Sequence, residues 1–259
     1  MTETVNHQTP PSKLLSILEA PRAVAEAMML LPAHRLLRNM PGGDGHSVMT
    51  LPGFLAGDTS TGLLRRYLKI WGYQAHPWRL GRNFGLSRRN QLEQKLEDRL
   101  VAVHRRTGKK VTLIGWSLGG VFARELARRQ ADKVLAVITL GSPMGNPRAT
   151  NVWRLYELIS NTRIQDVDIA ERISKMRRPI PVPATAIFSK SDSIVAWQIA
   201  KEPKGEKSES IKVIGSHLGL GFNPMVLYVI ADRLHHLSNG GWRPFQPRNL
   251  KPLFAALSM

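Results

Sequence analysis

The chain has 259 residues, 42% hydrophobic and 22% charged, which is enough to bury one large core without disulfides or metals and too apolar for a disordered or collagen-like chain. It has no cysteine, so disulfide frameworks, thiolate metal sites and cysteine nucleophiles are excluded. Its 37 Lys+Arg against 19 Asp+Glu give a formal net charge of +18, a bias toward polyanions or anionic lipid that says nothing about the fold.

The opening MTETVNHQTPPSK lacks the basic start and unbroken apolar block of a secretory signal. The best apolar run, Val111 to Ala123, is interrupted by Gly and Ser and falls short of the roughly 20 residues of a membrane span. A soluble, cytoplasmic protein is expected. Two short helical patterns follow the start, one around Leu14, Leu15 and Leu18, the other placing Val24, Ala27, Met28 and Leu31 on one amphipathic face. Packing of that face on the body of the protein is the favoured reading, with apolar contact to a membrane as the alternative. The segment MPGGDGH ends them.

From His46 the chain alternates between strand-like and helix-like runs: SVMTL (strand), Thr59 to Trp71 (helix), YQAH (strand), then a long helix capped by Ser87 with Leu92, Leu96, Leu100 and Val103 on one face. The apolar strand VTLIGW, a helix from Leu118 to about Gln130 and the strand KVLAVITL continue the pattern. Residues 145–183 break it with two short helix-like stretches, Val152 to Ser160 and Val167 to Met176, and a Pro-rich exit. Strands ATAIFS and IKVIG and a helix around Leu227, Ile230, Ala231 and Leu234 restore it before an irregular end. Alternation of this kind predicts a mostly parallel sheet with crossover helices. The organisation expected is an N-terminal helical extension (1–45), a core (46–238) carrying a small helical insertion at about 145–183, and an irregular tail (239–259).

The strongest local signal is Gly115-Trp116-Ser117-Leu118-Gly119, a GxSxG pattern between a strand and a helix. Its glycines allow a tight turn that lifts the serine hydroxyl out at the carboxyl end of the strand. A serine hydroxyl needs a histidine to take its proton and an acid to orient that histidine. Asp192, just past ATAIFS, and His217, just past IKVIG, stand where loops leave the carboxyl ends of strands, the edge at which open α/β sheets place their sites. Asp166 and Asp168 are weaker rivals for the acid. The oxyanion of the tetrahedral intermediate calls for backbone N–H donors, expected from Leu118 and from Phe54 in LPGFLAGD, with Leu55 a neighbouring candidate.

From LPGF through GWSLGG and SKSDSIV to GSHLGLG, the chain resembles an α/β-hydrolase of the esterase and lipase type over about residues 46–238. The resemblance implies a parallel sheet flanked by helices on both faces, a Ser117–His217–Asp192 triad and a cap inserted after KVLAVITL. Pro52 stands where the family usually has a histidine before the oxyanion-loop glycine, and the sheet begins at the family's third strand, as in small lipases. The activity implied is cofactor-free hydrolysis of carboxylic esters, small-molecule or lipid. Thioester or amide hydrolysis and acyl transfer use the same groups, and a non-catalytic module binding a polyanion is the competing class. The cap residues Trp153, Leu155, Ile159 and Met176 either close over an acyl pocket or form their own small core.

No carboxylate or histidine cluster has metal-ligand spacing, and no Rossmann or Walker phosphate loop is present, so neither metal nor nucleotide cofactor is expected. The basic excess concentrates between Arg79 and Lys133. A solvated face is the default reading of it, peripheral contact with anionic lipid the sharper one, and nucleic-acid binding ranks third because no recognition motif accompanies the charge.

Overall fold

A computed structural model of the chain describes residues 9–85, 89–160, 171 and 174–247. Six strands, β1 (Ser47–Leu51), β2 (Gln74–Pro77), β3 (Val111–Trp116), β4 (Val134–Leu140), β5 (Ala184–Ser189) and β6 (Ser208–Val213), form one sheet in the order β2-β1-β3-β4-β5-β6. Every pairing is parallel. The central strands β1 and β3 are buried along their whole length. That is why they read as largely apolar runs, as strands covered on both faces do, with buried Ser47, Thr50 and Thr112 the exceptions.

Helices α1 (Lys13–Ile17), α2 (Glu19–Met28), α3 (Leu30–Arg38), α4 (Gly62–Ile70), α5 (Arg89–Thr107), α6 (Leu118–Arg129), α7 (Trp153–Ser160) and α8 (Pro224–Ser238) surround the sheet. Side chains alternate across a strand with period two, which divides the core. Val48, Ile114, Trp116, Ile138 and Leu140 meet Leu64, Leu68 and Trp71 beside α4 and Leu227 and Ile230 of α8. Met49, Leu51, Val111, Leu113 and Val137 meet Leu96, Leu100 and Val103 of α5 and Phe122 of α6. Leu37 of α3 also enters the first core and accepts a 2.7 Å hydrogen bond from Trp71 Nε1 on its carbonyl.

Two elements depart from expectation. The last strand begins at Ser208 and ends at Val213; its polar start, SES, pairs with residues 184–186 at the sheet edge, where no apolar pattern is required to reveal a strand. The N-terminal segment makes three helices, broken at Leu18 and Met29. Most telling is the orientation of that segment: Val24, Ala27, Met28 and Leu31 are exposed, while Glu19, Ala23 and Glu26 are buried. The cap stretch Val152 to Ser160 is helical as α7, and of the second stretch only Glu171 and 174–176 are described, as helix. Ser87, Asp166 and Asp168 lie outside the described residues.

Candidate active site

Ser117 sits between the end of β3 and the start of α6 with φ +52° and ψ −122°. A left-handed φ at a non-glycine residue stores strain of order 1–3 kcal/mol and persists only where the surroundings enforce it. Two contacts enforce it here. Ser117 N donates to Leu140 O of β4 at 2.8 Å, and the first turn of α6 lies so close to β1 that a Cβ on Gly119 would fall 2.3 Å from Leu51 O. The strand-to-helix turn of the sequence pattern is thus a physical necessity: any side chain at 119 would push α6 off the sheet.

The loop after β1 backs onto this turn. A Cβ on Gly53 would lie 3.3 Å from Ser117 Cβ. The Leu55 N–H is engaged with Asn83 O at 2.7 Å, which removes it as an oxyanion donor. The N–H groups of Phe54 and Leu118 have no hydrogen-bond acceptor among the described residues. Leu55 is itself left-handed, φ +61°, so two of the strained residues flank the same spot.

On the far side, His217 Nδ1 lies 2.7 Å from Asp192 Oδ2, with both side chains buried. Asp192 Oδ1 accepts from the N–H groups of Ile194 and Val195, each at 2.8 Å, which fixes the carboxylate so that its second oxygen faces the imidazole. Gly141, at the end of β4 with φ +54°, passes so near that a Cβ there would meet Asp192 Oδ2 at 3.0 Å and His217 Nδ1 at 3.1 Å. Trp116 Nε1 donates to His217 O at 3.1 Å, tying the residue before the serine to the histidine. Ser117 Oγ makes no hydrogen bond among the described residues. Burial of the imidazole lowers its pKa, but the charge of Asp192, its hydrogen bond and the charge of Glu19 outweigh this, and the net direction is upward.

Two residues that sequence reasoning missed complete the surroundings of His217. Glu26 of α2 accepts from Ser216 N at 2.6 Å and Asn223 Nδ2 at 2.7 Å. Glu19, two turns earlier, accepts from Leu218 N at 2.7 Å and Ser193 Oγ at 2.5 Å. Between them Arg22 donates to the carbonyl and hydroxyl oxygens of Ser191 at 2.8 and 2.9 Å. The signal was present as three charged residues at i, i+3 and i+7, on the opposite side of the helix from its apolar stripe.

Beside Ser117 opens a cavity of about 250 Å³ lined by apolar groups including Phe54, Leu118, Val121, Trp153, Tyr156 and Met176, and also by Glu93, Glu125, Arg129 and Lys175. Trp153 and Met176 therefore face the cavity, whereas Leu155 points to solvent and Ile159 is not part of the lining. Basic side chains of α6, beside the strand that precedes Ser117, are less free than their charge suggests. Arg124 is fully buried, ion-paired with Glu202 and bonded to the carbonyls of Met176 and Arg178. Arg128 binds the carbonyls of Arg178 and Pro179, and Arg129 pairs with Glu93, Glu97 and Glu125. Arg124 and Arg128 hold the segment that leads into β5, and Arg129 ties α6 to α5. Of the other histidines, His76 bonds Ser47 Oγ at 3.1 Å and His236 packs beside Asp232. Among the described residues no group of three or more His, Asp or Glu side chains is arranged to hold a metal ion, and no helix is long and apolar enough to cross a membrane.

Residues 89–201, less than half of the chain, match the model of the PGAP1-like alpha/beta domain. Among solved structures the chain is similar to lipase BlEst2 of Bacillus licheniformis in its mature form, at 13% identity over 76% of this chain and 95% of that one, with a TM-score of 0.59. A lipase-esterase related protein of Clostridium acetobutylicum aligns at 19% identity over 74% and 96%, TM-score 0.52. The monoacylglycerol lipase of Paleococcus ferrophilus aligns at 13% identity over 74% and 96%, TM-score 0.51. No curated protein matches the chain. The fold is that of the α/β hydrolases: the parallel sheet and its flanking helices are those that the resemblance implied.

Proposed function

We propose that the protein is a serine hydrolase acting on carboxylic esters with a substantial apolar portion. The observation that carries this is the buried Asp192–His217 pair held at the same sheet edge as a left-handed serine, Ser117, whose hydroxyl borders an apolar cavity. In this reading the ester's apolar chain enters the cavity under Trp153 and Met176, and Ser117 Oγ attacks the carbonyl carbon as His217 Nε2 takes its proton. Asp192 keeps the imidazole in the tautomer with Nδ1–H and stabilises the imidazolium. The free N–H groups of Phe54 and Leu118 receive the oxyanion. His217 then protonates the leaving alcohol oxygen, the C–O bond breaks to leave an acyl-serine, and water deprotonated by the same imidazole releases the acid.

The reading is tested with a fluorophosphonate probe on the whole protein. Labelling of the native chain and none of Ser117→Ala is expected. An unlabelled native chain, or equal labelling of the variant, overturns it.

A further inference from the structure

Helix α2 is turned inside out. A surface helix normally buries its apolar stripe, yet here Glu19 and Glu26 are 5% and 7% exposed while Val24 and Met28 are 61% and 65% exposed. The neighbouring helices also leave Leu14, Ile17, Met29, Leu31 and Leu36 more than half exposed, although α3 turns Leu37 into the core. Single exposed aliphatic residues need no explanation, but a series on three successive helices does. Between residues 9 and 40 the only acidic residues are Glu19 and Glu26, both turned inward, so among the described residues these three helices present no carboxylate of their own on that surface. It does present Arg35 and Arg38, exposed in the last turn of α3. Aliphatic side chains with cations and without anions suit hydrocarbon lying beneath phosphate, and the charge of +18 on the whole chain adds attraction to an anionic surface.

We propose that the outer side of α1–α3 is a docking face that seats the protein on an anionic lipid bilayer. This goes beyond the catalytic reading and needs no turnover to be tested. In sedimentation with phosphatidylcholine vesicles, with and without phosphatidylglycerol, the native protein should bind the anionic vesicles and release as salt rises. The exposed-site variant Val24→Asp with Met28→Asp, and separately Arg35→Glu with Arg38→Glu, should each lose roughly tenfold or more in partition. The thermal midpoint should stay unchanged, because neither pair is packed. No partition of the native protein, or equal partition of the variants, overturns the proposal. So does a native dimer that the Val24 and Met28 changes split into monomers without any lipid binding, which would make a second copy the occupant.

A separate observation concerns the inner side of α2 and rests on the catalytic reading. Glu26 and Glu19 take the backbone N–H groups of Ser216 and Leu218, the residues on either side of His217. The geometry assigns both as positioning residues that fix the histidine loop. The charged groups around the imidazole are Asp192 and Glu19, with Glu26 against Ser216 and Arg22 on Ser191. Glu19→Gln keeps a hydrogen-bonding side chain but removes one anion facing His217. The acid limb of the pH dependence of fluorophosphonate labelling should therefore move to lower pH, and Glu26→Ala should slow labelling at every pH. Profiles that superimpose on the native one, even with a lowered thermal midpoint, reduce both residues to a structural role. A native chain that does not label at all would instead sink the catalytic reading.

Discussion

The turn from β3 into α6 and the N-terminal helices treat polarity in opposite senses. At Ser117 the turn packs closely on backbone, and the hydroxyl is held out at the sheet edge by strain and by the closeness of Gly119 to Leu51. In α2 the polar groups go inward, each bonded to the loops that carry Asp192 and His217, and the apolar side faces out. The difference teaches that burial follows partnership as well as hydrophobicity. A carboxylate can be buried where backbone N–H groups await it, and a valine can be left outside when a helix is docked by its charges.

This contrast can be broken most severely at the turn. Ser117→Ala should lower ester hydrolysis by a factor of about 10⁶, since members of a triad act as a unit, without lowering the thermal midpoint; turnover of p-nitrophenyl esters together with a melting curve checks both halves. Asp192→Asn should follow, slowing the reaction by up to about 10⁴-fold. Because the His217 pKa is raised above its ordinary value, native kcat/KM should fall as pH drops through a point above that of a free imidazole, and the Asn variant should move that point down. A native profile whose acid limb lies below the ordinary histidine range contradicts the arrangement.

Smaller effects test packing. Gly119→Ala places a methyl 2.3 Å from the Leu51 carbonyl oxygen, and overpacking of this kind costs about 1–3 kcal/mol, readable as a lowered urea midpoint. Val24→Ser removes an aliphatic group that is already 61% exposed. It should shift stability by no more than about 0.5 kcal/mol; a loss comparable to that of Gly119→Ala would mean that the outer side of α2 is packed after all.

The sequence by itself determined most of the sheet, because strands covered on both faces must be largely apolar and their crossovers must show helical periodicity. It also singled out Ser117, Asp192 and His217, since each follows a strand at its carboxyl end and chain order alone puts them along one edge. What only the tertiary structure decided is which polar groups meet. Strand β6 begins earlier than its apolar stretch because a partner strand, rather than a pattern, pairs SES. The Leu55 N–H, unlike that of Phe54, is taken up by Asn83, a residue distant in sequence. The arginines of α6 read as a solvated face, and the structure turns Arg124 into an anchor of the segment that leads into β5, through carbonyls some fifty residues away. Helix α2 is the fullest case. Periodicity reports which residues share a face, but it does not say which face a protein buries; that depended on the N–H groups flanking His217, almost two hundred residues further along the chain, and on carboxylates able to satisfy them.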